Sequence, residues 1–285
     1  MEHENAYREL WTSLAERYGQ REAQAIARLT MGRRFNLTIT QLLTGDYELS
    51  AGQRDELAEM GRRLAEGEPV QYVLGEAEFC GRWFGVSPDV LVPRPETEEL
   101  CRWITESQPH GRLLDIGTGS GCIAITLALQ SDAEEVEAWD ISDGALRVAE
   151  RNAERLGAKV RFSKRDALNL PTTDRRQWDV IVSNPPYVCH EERAEMEQHV
   201  KDHEPWLALF VPDDDPLLFY RAIIGYAAKS LRRDGRLFFE LNPRFARATA
   251  EMAEREGFAC EIRNDEQGRE RMLCARIREG AVLGK

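Results

Sequence analysis

No stretch of the chain carries the roughly 18 consecutive apolar residues that a membrane-spanning helix needs, although 42% of its residues are hydrophobic. The opening segment, MEHENAYREL, is charged and holds no apolar signal core, so a cytoplasmic location away from membranes is expected. There is no CxxC pair either. The six cysteines (Cys80, Cys101, Cys122, Cys189, Cys260 and Cys274) are scattered, which argues against a disulfide frame or a zinc knot and for reduced thiols. Positive charge is in deficit: 38 Lys and Arg face 50 Asp and Glu, a net charge of −12. Proteins that grip bare nucleic acid usually present a basic face. Direct nucleic-acid binding is therefore not expected, and a protein or small-molecule substrate is favoured. Internal repeats and low-complexity tracts are absent, and 285 residues allow one large domain or two smaller ones.

The residues that are present divide at about position 75. Before it, Leu10, Leu14, Ile26, Leu29, Leu42, Leu43, Leu57, Met60 and Leu64 fall at helical spacings, broken near Gly32 and at Gly45-Asp46. Ser50, ahead of AGQRDELAEMGRRLAEG, reads as the N-cap of a helix closing near Gly67. Residues 1–75 are predicted to form a small all-α bundle of four or five short helices. Nine Lys and Arg against twelve Asp and Glu make it slightly acidic. Its role is either a structural appendage or recognition of a partner, and substrate recognition is the reading adopted. Residues 76–95 alternate aromatic and polar around Gly81-Arg82, as a β-hairpin would. Pro93 and Pro95 then stiffen an extended linker, and a helix follows with Thr97 as its cap.

Residues 96–285 alternate strands and helices. Strands are expected at RLLDIG, VEAWD, KVRFSKRDA, WDVIVSN, GRLFFEL, CEIRND and RMLCARI, with helices near 120–130, 142–156, 216–233 and 244–256. Each of the first five strands leads toward a helix, which implies right-handed crossovers and a parallel sheet. Only EQGRE separates the last two, too short for a crossover, so they pair antiparallel. The expected fold class is α/β: a seven-stranded, Rossmann-like sheet with its last strand reversed, preceded by the helical bundle and the hairpin. That strand pattern belongs to methyltransferases rather than dehydrogenases.

The segment LLDIGTGSGCIAITLAL runs from an apolar strand through Gly117, Gly119 and Gly121 into an apolar helix. Glycine is required where backbone must approach a ligand closely. The dinucleotide pattern GxGxxG fails because Cys122 stands at its third glycine, and no lysine follows for a phosphate loop. What remains, acid-x-Gly-x-Gly-x-Gly, is the pattern of S-adenosylmethionine (SAM) methyltransferases. Thr118 and Ser120 complete that loop. Asp140 ends the next strand, where a carboxylate can accept from ribose hydroxyls. Asp166 ends the third, placed to accept from an adenine amino group while the Ala167 N–H meets the ring.

The fourth strand ends in Asn184-Pro185-Pro186-Tyr187. Neither proline can continue a ladder. An amide nitrogen is a poor nucleophile, and methylating it requires its N–H groups to be held. The Asn184 side-chain oxygen and a Pro185 carbonyl supply two acceptors, and Tyr187 can stack on a flat group. The sequences EPVQYVLGEAEF, DVLVPRPETEEL, LDIGTGSGCIAI and DVIVSNPPYV, with HEPWLALF, GRLFFEL and DEQGRERM further on, together resemble the HemK/PrmC family of protein-glutamine N5 methyltransferases over roughly residues 66–277. The resemblance implies transfer of a methyl group from SAM, leaving S-adenosylhomocysteine, to the glutamine of the GGQ motif in class I peptide-chain release factors. It implies that residues 117–121, Asp140, Ala167 and Asn184 bind SAM and that residues 184–187 hold the glutamine amide. A ribosomal-protein glutamine, or an adenine or guanine amino group, would use the same motif. One departure stands out. The family's Glu-Ile-Gly-x-x-Gln reads ELNPRF here, so Asn242 and Phe245 replace glycine and glutamine and are expected to alter how the next helix begins. His190, His199 and His203 with Cys189 lack an HExxH pattern, so no metal centre is expected. Arg94, Glu96 and Glu98 are read as packing and pocket-wall residues, and Trp83, Trp103 and Trp139 as core.

Overall fold

The computed structural model describes residues 5–171, 173, 177–195 and 202–278. These fall into two compact units. Residues up to Glu76, with Asp202 and His203, make the first, and Ala77 onward makes the second.

The first unit holds five helices: α1 (Ala6–Tyr18), α2 (Gln20–Phe35), α3 (Ile39–Thr44), α4 (Ala51–Ala65) and α5 (Val70–Leu74). Leu10, Leu14, Ile26, Met31, Leu42, Leu57, Met60 and Leu64 close one core among them. Ser50 caps α4 reciprocally. Its hydroxyl accepts from the Gln53 N–H, and the Gln53 side chain accepts from the Ser50 N–H. Two residues expected in this core depart from it. Leu29 is half-buried, and Leu43 is 69% exposed. Helix α3 has only six residues, and of its two leucines only Leu42 is buried.

The second unit begins with strands β1 (Glu76–Phe79) and β2 (Arg82–Gly85). They turn at Cys80-Gly81, both with positive φ (48° and 72°), the geometry of a tight two-residue hairpin. The turn lies one residue before the Gly81-Arg82 pair on which it was expected. Phe79 and Phe84 meet edge to face and join Leu100, Cys101 and Trp103 in one buried cluster. The hairpin therefore packs into the core of this unit. Helix α6 (Pro95–Glu106) follows with Arg94 as its N-cap and Pro95 at its start, where a fixed φ and a missing N–H cost nothing. Thr97, expected as the cap, lies inside the first turn.

The sheet contains β3 (His110–Ile116), β4 (Asp132–Asp140), β5 (Arg161–Lys164), β6 (Trp178–Ser183), β9 (Leu231–Glu240), β10 (Phe258–Asn264) and β11 (Glu270–Ile277). A separate parallel pair, β7 (Val188–Cys189) and β8 (Phe210–Val211), lies between β6 and β9 in the chain. Helices α7 (Cys122–Gln130), α8 (Asp143–Leu156), α9 (Trp206–Leu209), α10 (Leu218–Ser230) and α11 (Ala246–Arg255) complete the unit. Strand order is β10-β11-β9-β6-β3-β4-β5. The five strands β5, β4, β3, β6 and β9 are parallel, and β11 runs antiparallel to both its neighbours.

Alternation along each strand feeds two cores. Leu114, Ile116, Ile181, Leu237 and Phe239 face α10 and α11. Leu113, Val180, Val182 and Phe238 face α6, α7 and the hairpin. The chain leaves β3 for β4 on one side and returns to β6 on the other. The carboxyl ends of β3 and β6 thus lie side by side, with Ile116 opposite Ser183. A crevice opens at such a reversal of strand order.

Candidate active site

A cavity of about 410 Å³ occupies that crevice. Its walls come from residues 88–94, the glycine loop, Asp140 to Ser142, residues 165–168, residues 183–186 and the start of α9. Every proposed cofactor residue except Gly121 lines it: Gly117, Thr118, Gly119, Ser120, Asp140, Asp166, Ala167 and Asn184.

Gly121 acts from behind. It is the N-cap of α7 with φ +80°, and a Cβ there would lie 2.8 Å from Ile125 Cδ1 and 3.1 Å from Ala149 Cβ. It lets the head of α7 pack tightly against α8. The loop itself hangs from β4. The Gly117 and Thr118 N–H groups donate to the Trp139 carbonyl (2.8 and 3.0 Å), and the Gly119 N–H donates to Asp140 Oδ2 (2.9 Å). Asp140 Oδ1 accepts from the Ser142 N–H (2.9 Å). Asp140 thus shapes the loop as well as facing the cavity, a duty its position in the sequence did not reveal. Burial raises its pKa above the usual carboxylate range, against the pull of these N–H donors. Beneath the loop, Asp115 is fully buried, accepts from the Thr118 hydroxyl (2.6 Å), and is pushed by burial to about 7.

Asp166 lines the cavity but also caps its own turn, accepting from the Leu168 N–H (2.9 Å) and the Asn169 side chain (2.5 Å). At the other end of the cavity stand Asn184, Pro185 and Pro186. The Ser183 hydroxyl donates to the Ile116 carbonyl (2.6 Å) and so clamps β6 to β3 beside them. Tyr187 lies elsewhere than expected. Its ring packs against the core on the α10 side and its hydroxyl donates to Glu240 Oε1 (3.0 Å), so it is not among the cavity walls. Burial next to the Glu240 carboxylate raises its phenol pKa well above the usual value.

Three residues support this site in ways their places in the sequence did not reveal. Thr97 is buried in the wall, accepts from Asn184 Nδ2 (3.4 Å) and donates to Glu240 Oε2 (2.6 Å). Glu204, also buried, accepts from the Val92 N–H (3.1 Å) and pairs with Arg94, so it fixes the 88–94 wall. The Thr97–Glu240 and Val92–Glu204 pairs each span more than a hundred residues of chain. The Glu-Pro of HEPWLALF is a hint visible only to comparison. Asn242 is the third. Its Nδ2 donates to the Tyr187 carbonyl (3.0 Å) and the Glu192 carboxylate, while Oδ1 accepts from the Arg244 N–H (3.0 Å) and caps a single 3-10 turn, Pro243–Phe245, before α11. The departure at Asn242 therefore builds a polar clamp on the loop after Tyr187, and Phe245 becomes the residue that opens α11.

Glu96 pairs with Arg269, and Glu98 accepts from the Cys80 N–H, so of the RPETEEL charges only Arg94 touches the cavity. Trp103 and Trp139 are buried and Trp83 is half-buried. His190 stacks on Phe210, and burial raises the Cys189 thiol to about 11. His199 lies outside the described residues. Among the described residues no three His, Cys, Asp or Glu side chains are placed to hold a metal ion, and no helix is long and apolar enough to cross a membrane.

The family model described as the methyltransferase small domain matches residues 96–202. Among solved structures, a methyltransferase from Pyrococcus furiosus superposes with a TM-score of 0.52 at 17% identity, over 80% of this chain and 100% of that one. The 16S rRNA N2 G1207 methyltransferase of Thermus thermophilus gives 0.52 at 20% identity, over 71% and 50%. Likeness at that identity speaks for the fold alone. The matched domain model and the cavity at the switch point together define a Rossmann-like methyltransferase. The model described as the PrmC N-terminal domain matches residues 6–75. A release factor glutamine methyltransferase from Bacteroides thetaiotaomicron is 44% identical over 266 residues, 92% of this chain and 96% of that protein. Another, from Bacillus subtilis, is 40% identical over 78% and 81%. The chain belongs to the release factor glutamine methyltransferase family.

Proposed function

We propose that this protein transfers a methyl group from SAM to the side-chain amide nitrogen (N5) of the glutamine in the GGQ motif of a class I peptide-chain release factor, and so modulates translation termination. The residues present fit SAM. The cavity is in the size range of small-molecule sites, roughly 300–1,000 Å³. Asp140 has lone pairs left after binding Gly119 and Ser142, enough to accept from ribose hydroxyls. Asp166 and Ala167 would receive the adenine, and the open face of the loop at Gly119, where a Cβ would meet nothing within 4 Å, leaves room for the amino-acid end. When bound, SAM supplies an electrophilic methyl group on a sulfonium.

The observation that carries the reading is the orientation of Asn184. Its Nδ2 is engaged by Thr97, which leaves Oδ1 as an acceptor at the cavity wall. Oδ1 and the Pro185 carbonyl would take the two N–H groups of the target amide and stabilise the positive charge that develops on nitrogen. Both prolines lack an N–H that could compete. The catalytic contribution is positioning and electrostatics. The test is Asn184→Ala with release factor as substrate and mass mapping of the methylated residue. Turnover should fall about 10²-fold or more while SAM affinity changes by far less. Near-wild-type turnover, or a label on a residue other than glutamine, would sink the reading.

A further inference from the structure

Asn184 and Tyr187, the first and last residues of the motif, are tied to one buried carboxylate on the neighbouring strand. Glu240, at the end of β9, is 1% exposed. Its Oε1 accepts from the Tyr187 hydroxyl (3.0 Å) and its Oε2 from the Thr97 hydroxyl (2.6 Å). Burial raises the pKa of Glu240, and the hydrogen bonds from Thr97 and Tyr187 and the charge of Arg271 pull it back down. As a carboxylate it only accepts, and both its oxygens face hydroxyl donors, so the single Thr97 proton is committed to it. The oxygen of Thr97 then offers only lone pairs to Asn184. Of the two ends of the Asn184 amide, only the N–H end can face those lone pairs, and Nδ2 sits 3.4 Å away. Turned by half a rotation, Asn184 would set its own oxygen against them and aim two donors at the target amide, which itself brings donors.

We propose that Glu240 is a positioning residue of the methyl-transfer reaction: acting through the Thr97 hydroxyl, it fixes which end of the Asn184 amide faces the cavity. The inference rests on the reading of Asn184 given above and names what makes that reading work. The donors all run one way, from Asn184 Nδ2 to the Thr97 oxygen and from the Thr97 hydroxyl to Glu240, so the acceptor at the end sets the direction of the whole chain. Glu240 itself is not among the cavity walls and need not touch SAM.

The experiment compares the full-length wild type with Thr97→Val, Thr97→Ser, Glu240→Gln, the Thr97→Val/Glu240→Gln double variant and Asn184→Ala. Turnover is measured on intact release factor, and SAM affinity by calorimetry. Valine keeps the shape of threonine and deletes the hydroxyl, whereas serine keeps the hydroxyl and deletes the methyl. Thr97→Val and Glu240→Gln should each lower kcat about tenfold or more, with SAM affinity within about twofold of wild type. Thr97→Ser should stay within about threefold of wild type, and the double variant should be little slower than the worse single, because both changes break the same relay. A folded Thr97→Val at wild-type turnover would overturn the proposal. So would Thr97→Ser as slow as Thr97→Val, which would assign the effect to packing. Should Glu240→Gln not fold, the Thr97 pair still decides. Slow Asn184→Ala with fast Thr97→Val removes the relay alone, whereas fast Asn184→Ala removes the reading on which it rests.

Discussion

Asp115 holds a carboxyl in a place where charge is costly. Burial raises its folded-state pKa to about 7, against about 3.9 for an unfolded aspartate. Below about pH 4 both states carry the proton and the group is neutral toward folding. From about 4 to about 7 the unfolded chain releases its proton while the folded one keeps it, so stability drains away as pH rises. Each unit of separation is worth about 1.4 kcal/mol. Asp115→Asn should flatten this slope, and its melting temperature should gain on wild type between about pH 5 and about pH 8; parallel curves for the two proteins would exclude the assignment. Asp140 differs because it faces the cavity. Asp140→Ala removes a charged acceptor worth about 1.5–3 kcal/mol and also frees the Gly119 N–H. SAM affinity should fall roughly ten- to hundredfold by calorimetry, and an unchanged affinity would take Asp140 out of the site. The glycines and both aspartates were readable because each stands at the end of an apolar run. Thr97 was not. A threonine near a helix start reads as a cap, and only the fold brings Glu240 beside it.

Elements were more legible than their joints. Seven strands and four of the helices that follow them could be placed from apolar runs and glycine breaks, since a buried parallel strand must be apolar on both faces. Register and order could not, because the insertion of β11 between β9 and β10 leaves no local trace. The hairpin turn slipped by one residue because Cys80, not an asparagine or glycine, takes its first positive φ. The wall at 88–94 is an element without regular hydrogen bonding of its own, and Glu204 holds it. Glu204→Ala deletes the acceptor of Val92 and the partner of Arg94. The half-exposed guanidinium regains water, so the loss should be about 2–3 kcal/mol, in the range of hydrogen bonds to a charged group. Denaturant unfolding should register it, and a variant as stable as wild type would show that the wall stands without this carboxylate.

At the scale of the whole molecule, the two units divide the work unequally. Every cavity residue lies at or beyond Pro88, in the second unit. A chain lacking residues 1–75 should therefore bind SAM almost as wild type does. Choosing one glutamine on a protein demands contacts remote from the reacting atom, and the bundle is where they are expected. The shortened chain should lose most activity on intact release factor and much less on a short GGQ peptide, already a poor substrate. Equal losses on both would reduce the bundle to a stabilising appendage. The strand order has a consequence in time. Strand β9 carries Glu240, yet its partner β11 is made last of the seven. While residues 270–277 are still inside the ribosome, the edge of β9 from Arg236 to Glu240 has no mate. The two cores then also lack Leu273 and Ala275 on one face and Met272 and Cys274 on the other. An unpaired, apolar edge invites pairing with another chain. The nascent enzyme is thus exposed to aggregation until β11 emerges, and the strand that seals the sheet also flanks the strand that carries Glu240.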